Sequence, residues 1–180
     1  MVPRRFTTKI EQCHRKWLGE ALDLPLTGHN GIDYCNDFFA IELKSKLKAK
    51  GYSINFAVNH DQEKYFPKQN PKRDLYWAFM SYTFSKSVLE VKEKDKLEEL
   101  VLAREVWCLP WEWISKFPVY SPTKSGPFRY IPIKQIANKE EMTSFSVKKG
   151  NIHVQTDSSL EQKLINKMLS SSQEQKEGVF

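Results

Sequence analysis

The feature of this sequence that most constrains its fold is the mostly apolar segment 75–84, LYWAFMSYTF. A strand with one side in solvent alternates apolar and polar residues, because successive side chains point to opposite faces. This segment is apolar at both odd and even positions, which is typical of a strand buried at the centre of a sheet. The sequence therefore predicts a central strand here.

Patterns on either side of this segment predict the other elements. A capping box at 8–11 and apolar residues at helical spacing as far as Leu22 predict a first helix of about four turns. Further helices are predicted over 111–117 and after a second capping box at 158–161, and 92–104 is predicted as a surface helix or an insertion. Strands are predicted over 31–35, 38–46, 53–60, 105–110 and 128–136, with a hairpin over 144–155. Pro132 indicates an edge position for its strand.

Length, composition and charge predict one intracellular domain. Of the 180 residues 40% are hydrophobic, so we expect a single domain over 1–170 and a flexible tail over 171–180. The net charge of +6 favours an anionic partner, nucleic acid before membrane. Three cysteines without C-x-x-C spacing indicate a reduced compartment and no zinc framework. Without a signal peptide or a membrane-spanning apolar run, a cytoplasmic protein is expected.

The motif that carries chemistry lies in 31–46, GIDYCNDFFAIELKSK. We interpret it as two strands joined at the turn-forming pair Asn36 and Asp37. Glu42 and Lys44 then point to one face of their strand, and Asp33 on the adjoining strand reaches the same side. Carboxylates suit Mg²⁺, and a neighbouring lysine can orient a water and offset the charge of a scissile phosphate. The spacing predicts a divalent-metal phosphodiesterase.

The same residues also fit a plain solvent-exposed strand. Glutamate-x-lysine recurs at 90–92, 161–163 and 174–176, in charged or helical surroundings. Only Glu42 follows an apolar run with a turn and an aspartate upstream, so the elements around the motif must decide between the two interpretations. Glu11 and Glu20 flank the apolar stripe of the first helix, and the sequence leaves open whether either joins the site.

A second group of polar side chains follows the strand predicted over 53–60. Its members are Asn59, His60, Gln62 and Lys64. Side chains of these types can bond to base edges in the major groove, although a plain polar loop has the same composition. Lys46 and Lys48 are predicted to contact DNA phosphates, which bind lysine without regard to sequence.

The order of these pieces resembles the PD-(D/E)XK nuclease superfamily, and within it the PvuII-like type II restriction endonucleases. The matching pieces are Leu24-Pro25 leading to Gly31-Ile32-Asp33, Glu42-Leu43-Lys44-Ser45, Asn55-Phe56 to Asn59-His60, and the segments 77–84, 107–117 and 130–134. The resemblance covers roughly 7–136. This chain departs from the pattern in having Ile32 before Asp33, a single histidine in the recognition segment, and an insertion at 91–104.

The resemblance implies an α/β fold with a restriction-endonuclease-like core, in which helices flank a central mixed β-sheet. It implies Mg²⁺-dependent cleavage of double-stranded DNA at a specific short site, with Mn²⁺ able to substitute. Asp33, Glu42 and the Leu43 carbonyl would hold the metal, and Lys44 would orient the attacking water. A palindromic site mirrors a two-fold protein, so a homodimer is expected, with the first helix as a candidate dimer surface.

Two alternatives stay open at this point. One is a structure-selective or repair nuclease of the same superfamily, of the Holliday-junction resolvase type, which reads DNA shape instead of bases. The other is a basic nucleic-acid-binding module without catalysis, in which Glu42 and Lys44 are a surface pair. A defined cleavage pattern on plasmid DNA separates the first alternative from a restriction enzyme, and metal-dependent cutting excludes the second.

Overall fold

The computed structural model describes residues 4–22, 24–27, 31–36, 39–48, 55–69, 72–87, 90–91, 96–121, 126–132, 134–135, 142–147 and 152–157. The helices are α1 (Arg4–Leu22), α2 (His60–Gln69), α3 (Leu97–Leu100) and α4 (Trp111–Ile114). The strands are β1 (Tyr34–Cys35), β2 (Phe39–Leu47), β3 (Asn55–Asn59), β4 (Asp74–Phe84), β5 (Val101–Pro110), β6 (Val119–Tyr120), β7 (Phe128–Pro132), β8 (Met142–Val147) and β9 (Ile152–Asp157). The helix predicted after Ser158 and the tail 171–180 lie outside the described residues.

The structure is an α/β fold around a mixed sheet. This main sheet has six strands in the order β1-β2-β4-β5-β9-β8. The predicted central strand is confirmed, because β4 lies between β2, which is parallel to it, and β5, which is antiparallel. The predicted hairpin near the end of the chain is also confirmed as β8 and β9, which pair antiparallel.

Strands β3, β7 and β6 form a second, smaller antiparallel sheet in the order β3-β7-β6. The edge position predicted for the strand that holds Pro132 is wrong, because β7 pairs with both β3 and β6. Pro132 is tolerated there because it is the last residue of β7 and lies beyond the two residues that pair with β6. Because β6 does not pair with Pro132, the missing N–H of the proline removes no hydrogen bond from the ladder between β6 and β7.

Two hydrophobic cores cover the two faces of β2 and β4. On one face, α1 packs against the alternate strand residues that include Ile41 and Leu43. On the other face, residues of β3, β7, α2 and α4 pack around Ala40 and Trp77. Residues 75–82 of β4 are therefore buried without interruption. On the polar side of β2, Glu42 is buried, Lys44 is partly exposed and Lys46 is exposed, so burial of this side falls along the strand.

Helix α1 begins four residues before the predicted capping box, so the predicted start is wrong. Threonine and glutamate three residues apart also occur on one face inside a helix, and here they do so. The apolar stripe is confirmed, because Ile10, His14, Leu18 and Leu22 are all buried. Since the stripe is buried within the chain, only the polar side of α1 is available to a second copy.

Two predicted segments have a different structure. Residues 101–104, predicted within a charged helix or insertion, begin β5 because they continue its pairing with β4. The polar residues after β3 form helix α2, which contains Pro67. Asn59 Oδ1 accepts a hydrogen bond from the Asp61 N–H at 2.8 Å, and such a cap stabilises a helix start. An asparagine followed three residues later by Gln62 is the signal that predicts this start.

His14 is a fully buried titratable group of α1. Its Nδ1 accepts a hydrogen bond from Arg104 Nε at 3.2 Å, so the proton of the neutral ring lies on Nε2. Nε2 has no hydrogen-bond partner among the described residues. Burial, and secondly the Arg104 guanidinium, lower the pKa of His14 from 6.5 to about 3.

This histidine predicts a sensitivity of the fold to acid. Below pH 6.5 the unfolded chain binds a proton that the folded protein excludes until about pH 3, so stability is lost as the pH falls between these values. Glutamine keeps a hydrogen-bond acceptor for Arg104 and does not titrate. We therefore expect the free energy of unfolding of His14→Gln to fall by about 3 kcal/mol less than that of the parent between pH 7 and pH 4. Urea unfolding at both pH values measures the difference. An equal loss in the two proteins would contradict the assignment.

Candidate active site

The hairpin of β1 and β2 brings Asp33 level with Glu42. Tyr34 pairs with Ile41, so the residue before Tyr34 lies opposite the residue after Ile41. Asp33 Oδ2 accepts a hydrogen bond from the Leu43 N–H at 2.7 Å, which fixes the carboxylate against β2. The predicted proximity of the two acidic residues thus follows from a short turn and from the antiparallel register.

Glu42 is buried but only half satisfied. The residue is 5% exposed, so it does not fit the alternative of a solvent-exposed surface pair. Its Oε1 lies 2.7 Å from Lys44 Nζ and accepts a hydrogen bond from Gln62 Nε2 at 3.2 Å. Its Oε2 is buried without a hydrogen-bond partner in the described part of the chain. A buried carboxylate oxygen left in this way costs free energy unless a donor or a cation meets it.

Lys44 has two partners that hold its ammonium group in the site. Nζ contacts Glu42 Oε1 at 2.7 Å and donates a hydrogen bond to Gln62 Oε1 at 2.9 Å. Gln62 therefore lies in the candidate active site, and its contact with DNA stays a prediction. Helix α2 positions Gln62 beside Lys44 and Glu42. A polar loop over 59–64, which the sequence also allowed, gave no reason to expect this contact.

Arg15 of α1 completes the site, and no sequence pattern singled it out. Its Nε lies 2.8 Å from Asp33 Oδ1. The hydroxyl of Tyr34 donates a hydrogen bond to the Arg15 carbonyl at 2.7 Å, which ties this turn of the helix to β1. By contrast, Glu11 and Glu20 are exposed on α1, and Glu20 lies 3.9 Å from Lys16. The signal in the sequence that could have indicated Arg15 is the position of this charged residue beside the apolar stripe of α1.

The electrostatics of the site disfavour two negative charges. Burial raises the pKa of Asp33 to about 7, and the Glu42 carboxylate contributes to the rise. The Leu43 N–H, the Arg15 guanidinium and the Lys44 ammonium lower this pKa without cancelling the effect of burial. Two carboxylates in a site with little solvent ionise together only when further positive charge is present.

The oxygens of this site fit a hard divalent cation. The donors are the carboxylates of Asp33 and Glu42, including Oε2 of Glu42, and the Leu43 carbonyl. In a strand the N–H and C=O of one residue point the same way, and the Leu43 N–H points toward Asp33. Within the residues that the structure describes, no group of three or more His, Cys, Asp or Glu side chains is placed to hold a metal ion. Two carboxylates suffice for Mg²⁺, which keeps several of its waters.

The lysines predicted to contact DNA phosphates have partners within the chain. Lys46 Nζ donates a hydrogen bond to the Asn55 carbonyl at 2.8 Å. Lys48 Nζ lies 3.1 Å from Glu105 Oε2, and both side chains are about half exposed. Lys64 is exposed on α2 and lines an open cavity of about 410 Å³. All three ammonium groups can still reach solvent, so phosphate contact remains a prediction for them.

His60 and Arg129 share the buried carboxylate of Glu63. His60 Nδ1 lies 2.7 Å from Glu63 Oε2, and Arg129 Nε donates hydrogen bonds to both oxygens of Glu63 at 3.0 and 3.1 Å. The Glu63 side chain is buried, whereas the His60 ring is partly exposed. Glu63 therefore fixes the orientation of the imidazole through Nδ1, and Nε2 is the ring nitrogen that does not contact Glu63.

Comparisons with protein-family models, with curated proteins and with solved structures found no match to this chain. A search of the described helices for one long and apolar enough to span a membrane also found none.

The shared carboxylate predicts a stability effect. Glu63→Gln removes the charge that two cationic or polar partners share, and breaking a buried pair is destabilising because the other charge stays buried. We expect the free energy of unfolding to fall by about 3 kcal/mol, measured by urea denaturation at pH 7. The matched control is Glu112→Gln at an exposed position of α4, which should change the free energy of unfolding by less than about 0.5 kcal/mol. Equal stability of the two variants would show that the network contributes nothing.

Proposed function

We propose that this chain is a Mg²⁺-dependent endonuclease with a restriction-endonuclease-like core, which hydrolyses phosphodiester bonds in double-stranded DNA at a specific short site. The observation that carries the proposal is the convergence of Asp33, Glu42 and Lys44 at one largely buried point, with a Glu42 oxygen that no described residue meets with a hydrogen bond. The positive net charge supports an anionic substrate.

The residues of the site have three different roles: metal binding, orientation of the water and positioning of Lys44. Asp33, Glu42 and the Leu43 carbonyl would hold the metal, which when bound supplies Lewis-acid stabilisation of the phosphate. Lys44 is placed to orient a water and to neutralise charge that develops on the scissile phosphate. Gln62 holds the Lys44 ammonium toward the carboxylates, since it bonds to both Lys44 and Glu42.

Catalysis explains the buried carboxylates better than binding alone. A module that only binds DNA gains nothing from burying two acidic side chains, because they repel phosphate and lose hydration. A cation-assisted nuclease needs both of them near the substrate. A structure-selective nuclease would use the same site, and the restriction-type proposal differs from it in requiring base contacts and a homodimer that matches a palindrome.

The first test concerns the chemistry. Asp33→Asn, Glu42→Gln and Lys44→Met should each slow cleavage of supercoiled plasmid in Mg²⁺ by about a hundredfold or more, because each removes a group that acts in the transition state. The matched control is Lys46→Met on the same strand, which removes one charge without touching the carboxylates. It should weaken DNA binding but still cut.

Agarose gels and end-sequencing of the products, with an EDTA-treated sample alongside, give the result. Discrete fragments with uniform ends support a restriction-type enzyme. Cutting by the parent that survives EDTA, or full activity in all three site variants, would refute the proposed site.

The second test concerns base reading by α2. We expect the Nε2 of His60, which does not contact Glu63, to meet a base edge. A good base contact is worth about 1–3 kcal/mol of discrimination. His60→Ala should therefore cut the cognate site roughly tenfold more slowly and bind non-cognate DNA unchanged. Lys64→Ala should instead weaken binding to all sequences. If His60→Ala cuts the same sites at the same rate, bases are read elsewhere, with the segment 121–129 as the next candidate.

A further inference from the structure

We infer that Arg15 is a built-in counter-ion that occupies the Asp33 carboxylate in the metal-free protein and thereby sets the metal affinity of the site. The inference rests on the proposed function, because it takes Asp33 and Glu42 as metal ligands. It assigns a role to a residue of α1 that the proposed mechanism does not use.

When both carboxylates are ionised, the charges of the four side chains sum to zero without a metal. Asp33 lies 2.8 Å from Arg15, and Glu42 lies 2.7 Å from Lys44, so each carboxylate has one cation. The four side chains are between 6% and 23% exposed. A divalent cation added to this quartet would leave two uncompensated positive charges in a poorly hydrated place, which is costly. Metal binding therefore requires one cation to leave or an anion to arrive.

Arg15 is the cation that can leave. Lys44 has a second partner, because its ammonium also donates to Gln62 at 2.9 Å. Arg15 Nε contacts Asp33 as an ion pair only, since this buried nitrogen has no partner with hydrogen-bond geometry in the described residues. A paired guanidinium with good geometry would make two parallel hydrogen bonds to a carboxylate, and this one does not.

The backbone around Arg15 allows its side chain to move alone. The Tyr34 hydroxyl donates to the Arg15 carbonyl at 2.7 Å and holds this turn of α1 in place whatever the side chain does. A DNA phosphate offers the released guanidinium a strong bidentate partner. Metal and DNA binding are then coupled: the DNA-free protein binds divalent cations weakly, and substrate relieves the competition.

The experiment measures Mn²⁺ binding to the full chain without DNA by isothermal titration calorimetry. Arg15→Gln should lower the Kd for Mn²⁺ by at least about tenfold, because it removes a positive charge that contacts a ligand. The matched control is Lys16→Gln, which removes the same charge from the next residue, whose side chain is 75% exposed. The Kd of Lys16→Gln for Mn²⁺ should stay within about twofold of the parent value. The Kd of Arg15→Lys, which keeps the positive charge, should also stay near that value.

Each outcome decides the inference. An Arg15→Gln protein that binds Mn²⁺ no tighter than Lys16→Gln overturns the inference. The inference is also overturned if the gain in Mn²⁺ affinity persists in the double variant Arg15→Gln with Asp33→Asn. If Arg15→Gln does not fold in EDTA, added Mn²⁺ should restore its circular dichroism, because the metal supplies the missing positive charge. Failure of Mn²⁺ to restore the fold overturns the inference as well.

Plasmid cleavage separates this inference from the proposed function. Tighter Mn²⁺ binding by Arg15→Gln, with no cutting by any protein of the series, supports the counter-ion and rejects the nuclease. Cutting by the parent, with an unchanged Kd in Arg15→Gln, rejects the counter-ion and leaves the nuclease standing.

Discussion

The burial of β4 on both faces is the constraint on which the rest of the structure depends. Residues 75–82 are buried in succession, so one layer of structure has to cover each face. Helix α1 supplies one layer, and the small sheet with α2 and α4 supplies the other. Because β2 lies beside β4 under the same two layers, Glu42 on its polar face is buried along with its apolar face.

The candidate site forms where these two layers meet at the short strand β1. This strand has two residues, so Asp33 lies just outside the ladder, where the Arg15 side chain of α1 contacts it. Arg15 comes from the α1 layer, and Gln62 comes from the α2 layer to meet Lys44 and Glu42. A buried charge is tolerated when a partner meets it, and each layer contributes one. Glu42 Oε2 is the oxygen that no described residue of either layer meets with a hydrogen bond.

Sequence patterns predicted the elements whose periodicity is local. The alternation of β2, the continuous apolar run of β4 and the stripe of α1 each identified the correct element, because burial acts on every turn or every second residue. The errors lie where a short polar stretch fits more than one structure. Residues 60–69 form α2 in spite of Pro67, and 101–104 extend β5 because β4 offers them a ladder.

The sequence alone determined that Asp33, Glu42 and Lys44 lie together, because a short turn and strict alternation fix their register within one hairpin. Only the tertiary structure decided which groups meet them. Lys44 and Gln62 are 18 residues apart, and Glu63 and Arg129 are 66 residues apart. Contacts over such separations depend on how helices and sheets pack. That packing is determined by the burial of whole apolar faces and not by a local sequence pattern. For the same reason Arg15 and the burial of Glu42 became visible only in the folded chain.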